Sequence, residues 1–408
     1  MHIGIAGPTS WNALRPWLRA GETLPPVFTF PLIGRLAAAL RHQGHNVSVF
    51  TTSTAPLGLT EIKGDGLRVF IIPMRTKRSA YDFYRKERGL LQKAMHDSNC
   101  DILHAHWCYE FAAAALDSGR PTLVTAHDNP NEEYHFTRWT RAYPYWWFRC
   151  FFGRQTVRRA SFLTAVSPYV EANLRRIAGP GKRIRVIPNG VAPELFQQGQ
   201  ARLARPPRTE PFTLASVLEG FGNRKNARAA LAAFASFRLR HPHSRYVMFG
   251  GDYQDGGPAH TWARRQGLDA GVEFRGHRPQ DIFHPFLTEQ ADILLHPALL
   301  ESHPLAITEA MALGVPVLGG ESSGGVPWTL DNGRAGALTD MRDAAQIATS
   351  LEKLAANPQQ RLQLARAAWE HAHRHFREET MVDAYEHGYQ EVLAQTGLTA
   401  NPSTAEPG

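Results

Sequence analysis

Through most of the chain, short apolar runs alternate with longer stretches in which apolar residues return every three or four positions. The first pattern predicts strands buried on both faces and the second predicts amphipathic helices, so together they predict parallel sheets joined by crossover helices. In the first half, strands are expected at 2–6, 46–51, 67–72, 101–106 and 121–126, with helices at 31–43, closed by Gly44, and at 85–95. A further strand from Ser161 runs into Ser167-Pro168, where Ser167 suits the cap of the next helix. Asn189-Gly190 reads as a turn, and 197–211, polar, proline-rich and without period, reads as a linker. Beyond it the alternation resumes, with strands at 212–217, 245–249, 271–274 and 291–296 and helices at 226–238, 258–266 and 280–289. Helices at 344–354, 358–373 and 378–393 follow, and 397–408 has the composition of a disordered tail. Two Rossmann-like halves are therefore expected, over 1–190 and 205–376.

At 408 residues the chain has room for two domains with separate cores. Three cysteines, Cys100, Cys108 and Cys150, are too few and too unpatterned for a disulfide framework or a zinc site. No apolar run approaches the ~18 residues that a membrane span needs. The opening MHIGIAGPTSW reads as a strand entering a loop rather than a secretory leader, so a cytoplasmic protein is expected. A formal net charge of +8 favours an acidic partner, whether nucleotide-sugar, anionic lipid or nucleic acid, and charge alone does not choose among them.

The most informative chemistry lies in 299–340. Glu301 and Glu309 stand on either side of Pro304, which favours the start of a helix over 305–313, so Glu301 is expected in the preceding loop and Glu309 inside the helix. Gly314 ends that helix and 315–318 reads as a buried strand. A helix start offers unpaired N–H groups to phosphate, and a carboxylate beside it can accept hydrogen bonds from sugar hydroxyls. Elsewhere, DILHAHW places His104 and His106, and LVTAHD places His127 and Asp128, at the carboxyl ends of strands, where a parallel sheet receives ligands. A lone strand-end histidine is more often a buried, hydrogen-bonded core residue, the reading favoured for His104, whereas His127 favours the site.

The run E-SHPLAIT-E-AMALGVPV resembles the donor-site signature of retaining GT-B glycosyltransferases, the family 4 or "glycosyl transferases group 1" set. DILHAH, TAHD and RVIPNGVAPELF resemble further segments of that family, with Ala192 where an Asp is usual. The resemblance implies an α/β GT-B fold: two Rossmann-like domains facing across a cleft, the acceptor side in 1–190 and the donor side in 205–376, with the helix at 377–396 crossing back to the first. It implies Glu301 on the hydroxyls of the transferred sugar, Glu309 on the ribose, His127 over the donor sugar and Lys225 on the diphosphate. Glu219-Gly220 stands where a Gly-Arg is usual, leaving Arg224 to substitute for the missing arginine or one phosphate contact to be absent. Backbone N–H groups after Glu301, including that of Leu305, help to hold the sugar in such enzymes; Pro304 removes one donor and His303 is the candidate replacement. Pro327-Trp328 departs from the usual Pro-Glu. His104, His106 and Asp128 fall on the acceptor side.

The chain contains no Asp-x-Asp, so a metal-independent enzyme without cofactor is expected, its leaving phosphates neutralised by cations and a helix start. The expected activity is that of a hexosyltransferase moving a sugar from a nucleotide-diphosphate sugar to a glycan, lipid-linked or small-molecule acceptor, as in bacterial polysaccharide or glycoconjugate synthesis, with no nucleic-acid partner. Residues 134–160 hold ten aromatics, six arginines and no acid, a composition suited to an anionic membrane surface at the inner leaflet, with Arg138, Arg141 and Arg149 meeting headgroups. The alternative for this segment is a core helix with a solvated basic face. For the whole chain, the alternatives are a nucleotide-sugar epimerase or hydrolase of similar fold and a non-catalytic, membrane-associated binding protein.

Overall fold

The computed structural model describes residues 1–397 apart from 56–57, 76, 132 and 207–210, so the expected tail lies outside the described residues beyond Gly397. The chain forms two compact units: Met1–Pro188 with the chain from Glu379 onward, and Asn189–Glu378.

The first unit is built on an eight-stranded sheet in the order β3-β4-β2-β1-β5-β6-β7-β8. Its strands are β1 His2–Ala6, β2 Asn46–Ser53, β3 Thr60–Lys63, β4 Leu67–Pro73, β5 Ile102–His106, β6 Thr122–Ala126, β7 Phe162–Ala165 and β8 Ile184–Val186. All pair in parallel except β3, an antiparallel edge strand too short and polar for its pattern to register in the sequence. Ile3, Ile5, Val47 and Val49 pack on one face against Leu32, Ile33 and Leu36 of the helix Pro31–His42 and against Met381, Tyr385 and Tyr389 of the final helix, Glu378–Gln395. On the other face Phe50, Leu103, Ala105 and Val124 meet Met95, Phe111 and Val157. Gly4 is required between β1 and β5, since a Cβ there would lie 2.4 Å from Leu103 Cδ2. The strand order reverses between β1 and β5, so the crevice of this sheet opens where the strand-end histidines stand.

The second unit holds a fully parallel sheet in the order β11-β10-β9-β12-β13-β14. Its strands are β9 Thr213–Val217, β10 Arg245–Phe249, β11 Val272–Gly276, β12 Ile293–Leu295, β13 Val317–Gly320 and β14 Ala337–Thr339. Ala215, Val247, Leu294 and Val317 pack against Phe283, Phe286, Ile307 and Met311 on one side. Leu214, Tyr246, Ile293 and Leu318 pack against Leu231, Phe234, Ile347 and Leu351 on the other. Here the order reverses between β9 and β12.

One expectation fails at the junction. The second unit begins at Asn189, and the first seven residues of the stretch read as a linker, 197–203, belong to a helix, Pro193–Leu203. Leu195 and Phe196 anchor its first turn in the core, and a glycine and an arginine hold the rest. Gly199 lies so close to the end of the helix Leu305–Ala312 that a Cβ would meet Ala312 O at 1.9 Å. The Arg202 guanidinium donates to the carbonyls of Gly314 (3.0 Å), Ala291 (2.7 Å) and Thr288, capping the ends of two neighbouring helices with a cation. A glycine and an arginine in a polar sequence disguise a packed helix as a tether.

Candidate active site

In the second unit, the loops after β9 and β12 meet at the reversal point. After β9 the chain runs through Glu219-Gly220, with Gly220 in the left-handed region (φ 81°). The Glu219 carboxylate accepts from Gly251 N–H (2.9 Å), and Asp252 accepts from Phe221 N–H (3.0 Å), so the glutamate standing where an arginine is usual ties this loop to the one after β10. The loop ends at Asn226, also left-handed (φ 54°), whose amide donates to the carbonyls of Pro297 (3.1 Å) and Met341 (2.6 Å). Leu299 N–H donates to Arg224 O (2.8 Å), and Arg224 Nη1 returns a hydrogen bond to Leu300 O (3.1 Å).

This lattice of backbone contacts fixes Arg224 and Lys225 over Glu301. Lys225 Nζ donates to Glu301 Oε1 at 2.6 Å, Arg224 Nη1 stands 3.6 Å from the same oxygen, and His296 Nε2, at the end of β12, stands 3.4 Å from it. Lys225 thus donates to Oε1, with Arg224 and His296 at ion-pair distance from the same oxygen. Gly325 N–H donates to Glu301 O (2.7 Å), holding the residue against the loop after β13. The side chain is only 13% exposed. Burial alone would raise its pKa, but the Lys225 charge, His296 and Arg224 overcome that and hold the carboxyl well below the usual range.

Glu309 lies one turn into the helix Leu305–Ala312, as the proline position predicts. Its Oε1 accepts from Gln280 Nε2 (3.1 Å) and its Oε2 lies 3.3 Å from His284 Nε2. The N–H groups of Leu305 and Ala306 open the helix, where no preceding turn can accept them. His303 lies in the loop just before this helix. It is buried, its Nδ1 accepts from Asn189 N–H (3.2 Å), its carbonyl accepts from Asn189 Nδ2 (3.2 Å), and its ring sits edge-on to Phe376 (4.8 Å). It brackets the start of the unit.

In the first unit the strand-end residues separate into two groups. His104 is fully buried with both nitrogens engaged, Nδ1 with Tyr389 OH (2.7 Å) and Nε2 with Thr125 Oγ1 (2.7 Å). It joins the final helix to the sheet and is a core brace rather than an acceptor contact, the sequence expectation being corrected by this saturation. His106 Nδ1 pairs with His127 Nε2 (2.8 Å), and His127 lies between Trp107 (ring centroids 4.5 Å) and Phe30 (5.6 Å). Among the described residues, His127 Nδ1 makes no hydrogen bond. Asp128 Oδ2 accepts from Tyr109 OH (2.9 Å).

Burial holds these three imidazoles neutral, His104 and His106 well below the ordinary histidine range and His127 at about 3. Since the folded values lie below the unfolded one, the unfolded chain takes up protons first as pH falls. Stability is therefore full above about pH 6.5 and declines below it, by about 1.4 kcal/mol per pH unit for each such histidine. Urea unfolding is expected to show a lower midpoint at pH 5 than at pH 7; equal midpoints would mean that the folded cluster takes up the protons.

Arg149, assigned from sequence to a lipid-facing surface, is instead largely covered by its neighbours, its side chain 16% exposed. Its guanidinium lies 3.7 Å from the Tyr109 ring centroid, donates to Tyr84 OH (2.6 Å) and pairs with Glu110 (3.5 Å). The same helix, Tyr143–Arg159, does leave Trp147 and Phe151 on its outer face, stacked at 5.7 Å, and Trp139 before it is 90% exposed. Among the described residues, no helix is long and apolar enough to cross a membrane. His296, Gln280, His284 and Asn226 were not anticipated as site residues; the only sequence signal was that His296 closes a strand and that Gln280 and His284 are four apart on one helix.

The model of the Glycosyltransferase Family 4 matches residues 32–195, and that of the Glycosyl transferases group 1 matches 205–371. Among curated relatives, a D-inositol 3-phosphate glycosyltransferase of Corynebacterium kroppenstedtii is 34% identical over 157 residues, 37% of this chain and 34% of that protein. Another from Corynebacterium diphtheriae is 27% identical over 373 residues, 83% of each. The chain thus spans about a third of the first relative's length and most of the second's. Sucrose-phosphate synthase of Thermosynechococcus elongatus superimposes with a TM-score of 0.76 at 18% identity, covering 97% of this chain and all of that one. The Anabaena Alr3699/HepE protein, solved with UDP and glucose, superimposes at 0.66 and 18% identity, over 96% of this chain and 100% of that one. With two parallel-sheet units, the paired glutamates in register and a family model matching each half, the chain belongs to the group 1, family 4 glycosyltransferases and has the GT-B fold.

Proposed function

We propose that the chain transfers a hexose from a nucleotide-diphosphate sugar, with retention of configuration and without a divalent metal, to a hydroxyl of a glycan, lipid-linked or small-molecule acceptor in bacterial polysaccharide or glycoconjugate synthesis. The observation that carries this reading is the convergence of Lys225 and Arg224 on one oxygen of Glu301 beside the start of the helix Leu305–Ala312. Cleavage of the anomeric C–O bond leaves charge on the terminal phosphate, and two cations with a helix start compensate charge at that place. The acceptor hydroxyl adds to the anomeric carbon on the face the diphosphate leaves, and its proton passes to the departing phosphate oxygen. Glu301 Oε2 accepts from the sugar hydroxyls, and Glu309 accepts from the ribose. His127, neutral and caged by aromatic rings, is the residue that the family resemblance gives for contact with the donor sugar. The solved relative's UDP and glucose, and the diphosphate-compatible cations here, support this donor class.

The test is a thermal-shift screen of UDP-, GDP- and ADP-sugars followed by mass spectrometry of the products from a lipid and glycan extract. A ligand at about 100 times its Kd adds about 2.7 kcal/mol of stability, so one donor class is expected to stand out. Transfer is expected to continue in EDTA and to yield a larger glycoside. Loss of activity in EDTA with recovery on adding magnesium or manganese would refute the cationic account, and a free sugar or an epimerised donor as the only product would favour the hydrolase or epimerase reading.

A further inference from the structure

The geometry points to Gln280 and His284 as positioning residues that set the orientation of the Glu309 carboxylate and so determine recognition of the donor's ribose. This rests on the donor-site reading above, in which Glu309 accepts from the ribose hydroxyls.

A carboxylate on a helix has a freely turning terminal torsion, and its two oxygens offer lone pairs in several directions. Glu309 is not free to use that freedom. The turn that leaves β11 places Gln280 at the first position of the helix Gln280–Glu289, and His284 follows one turn later on the same face. Gln280 Nε2 lies 3.1 Å from Oε1 and His284 Nε2 3.3 Å from Oε2, so each oxygen has one partner and the carboxylate plane is defined by two points. The two helices are held in place by packing of Phe283, Phe286 and Leu287 against Ile307, Ala310 and Met311. His284 is itself buried, and its carbonyl accepts from Thr288 Oγ1 (2.9 Å), so Pro285, which cannot continue the ladder, leaves the turn ordered. Each carboxylate oxygen, with one of these partners, retains acceptor capacity for a further donor. A vicinal diol presents two donors at fixed spacing, and a carboxylate fixed in its plane matches both, whereas a rotating one does not.

The experiment compares binding of UDP, GDP and ADP with binding of their 2′,3′-dideoxy counterparts by calorimetry, in the full chain. Wild type is expected to prefer the hydroxylated form of its cognate diphosphate by about tenfold or more, the size of a charge-assisted pair of hydrogen bonds. Glu309→Ala is expected to abolish that preference. The double change Gln280→Ala with His284→Ala is expected to cut it at least threefold while leaving affinity for the dideoxy nucleotide within twofold, and His284→Gln, which keeps a donor, is expected to retain it. If the double variant keeps the full preference, or loses affinity for both forms equally, Gln280 and His284 are structural only and the inference falls. If instead Glu309→Ala keeps the preference, or no diphosphate binds wild type, the ribose reading itself is wrong and the inference goes with it.

Discussion

Changing Glu301 to glutamine is expected to lower kcat by roughly ten- to a hundredfold while leaving affinity for the free nucleoside diphosphate unchanged or tighter. The two halves of that result have different origins. Neutralising the carboxylate removes charge-assisted hydrogen bonds to the transferred sugar, each worth about 1.5–3 kcal/mol, and a contact made to the reacting ring appears in kcat. At the same time Lys225 and Arg224, which now share Glu301 Oε1 at 2.6 and 3.6 Å, lose their internal counter-charge and turn fully to the phosphates. The pH profile gives a second reading of the same residue. Its folded pKa is depressed, so its contribution to stability is present above the ordinary carboxylate range and is lost progressively as pH falls from that range to the folded value. Glu301 is ionised throughout neutral pH, and the acid limb of the wild-type rate profile should persist in the glutamine variant. Wild-type kcat in that variant would remove Glu301 from the chemistry.

What the sequence discloses follows from which forces leave a pattern in it. Strands buried on both faces are continuous apolar runs, so 46–51 and 245–249 stand out and appear at nearly those limits as Asn46–Ser53 and Arg245–Phe249. Glu301 and Glu309 are legible because Pro304 and Gly314 punctuate the helix that carries one of them. Interactions made by single polar side chains leave no period. The helix Pro193–Leu203 offers only Leu195 and Phe196 to the core and is otherwise held by Gly199 and Arg202, and its arginine reads like any solvated one until the carbonyls around it are known. Gln280 and His284 show a four-residue spacing that many solvent-facing pairs share. His104 and His127 stand near the ends of neighbouring strands in similar words, yet one has both nitrogens engaged within the core and the other, among the described residues, presents Nδ1 without a partner. Spacing along the chain cannot separate them, because the distinction is made by Tyr389, contributed from the far end of the sequence.

Arg149 is the instance with the largest consequence for stability. Its replacement by glutamine is expected to destabilise the protein by about 3–5 kcal/mol, the usual effect of removing one partner from a buried ion pair. Glu110, with a side chain 7% exposed, would be left with a buried charge, and Tyr84 OH would lose its donor. Burial would lower the arginine pKa, but the Glu110 charge and the surrounding tyrosine hydroxyls more than offset this, so the guanidinium stays charged in place. At about 2–4 °C per kcal/mol for units of this size, the melting temperature should fall by roughly 6–20 °C. Lysine should not rescue, since an ammonium cannot stack over Tyr109 and bridge Tyr84 and Glu110 together. The double change Arg149→Gln with Glu110→Gln should recover part of the loss by removing both charges. Arg138 and Arg141 provide the contrast: both are exposed, and their change to glutamine should move stability by no more than about 0.5 kcal/mol. If the exposed rings Trp139, Trp147 and Phe151 meet an anionic bilayer, that pair is where the electrostatic part of binding resides, at about 1 kcal/mol for each basic residue near the surface. Co-sedimentation with anionic vesicles at low salt should then weaken in the Arg138→Gln, Arg141→Gln variant at unchanged melting temperature. An Arg149→Gln variant that melts with wild type and loses vesicle binding would reverse both assignments, returning Arg149 to the surface and the aromatic helix to the lipid through it.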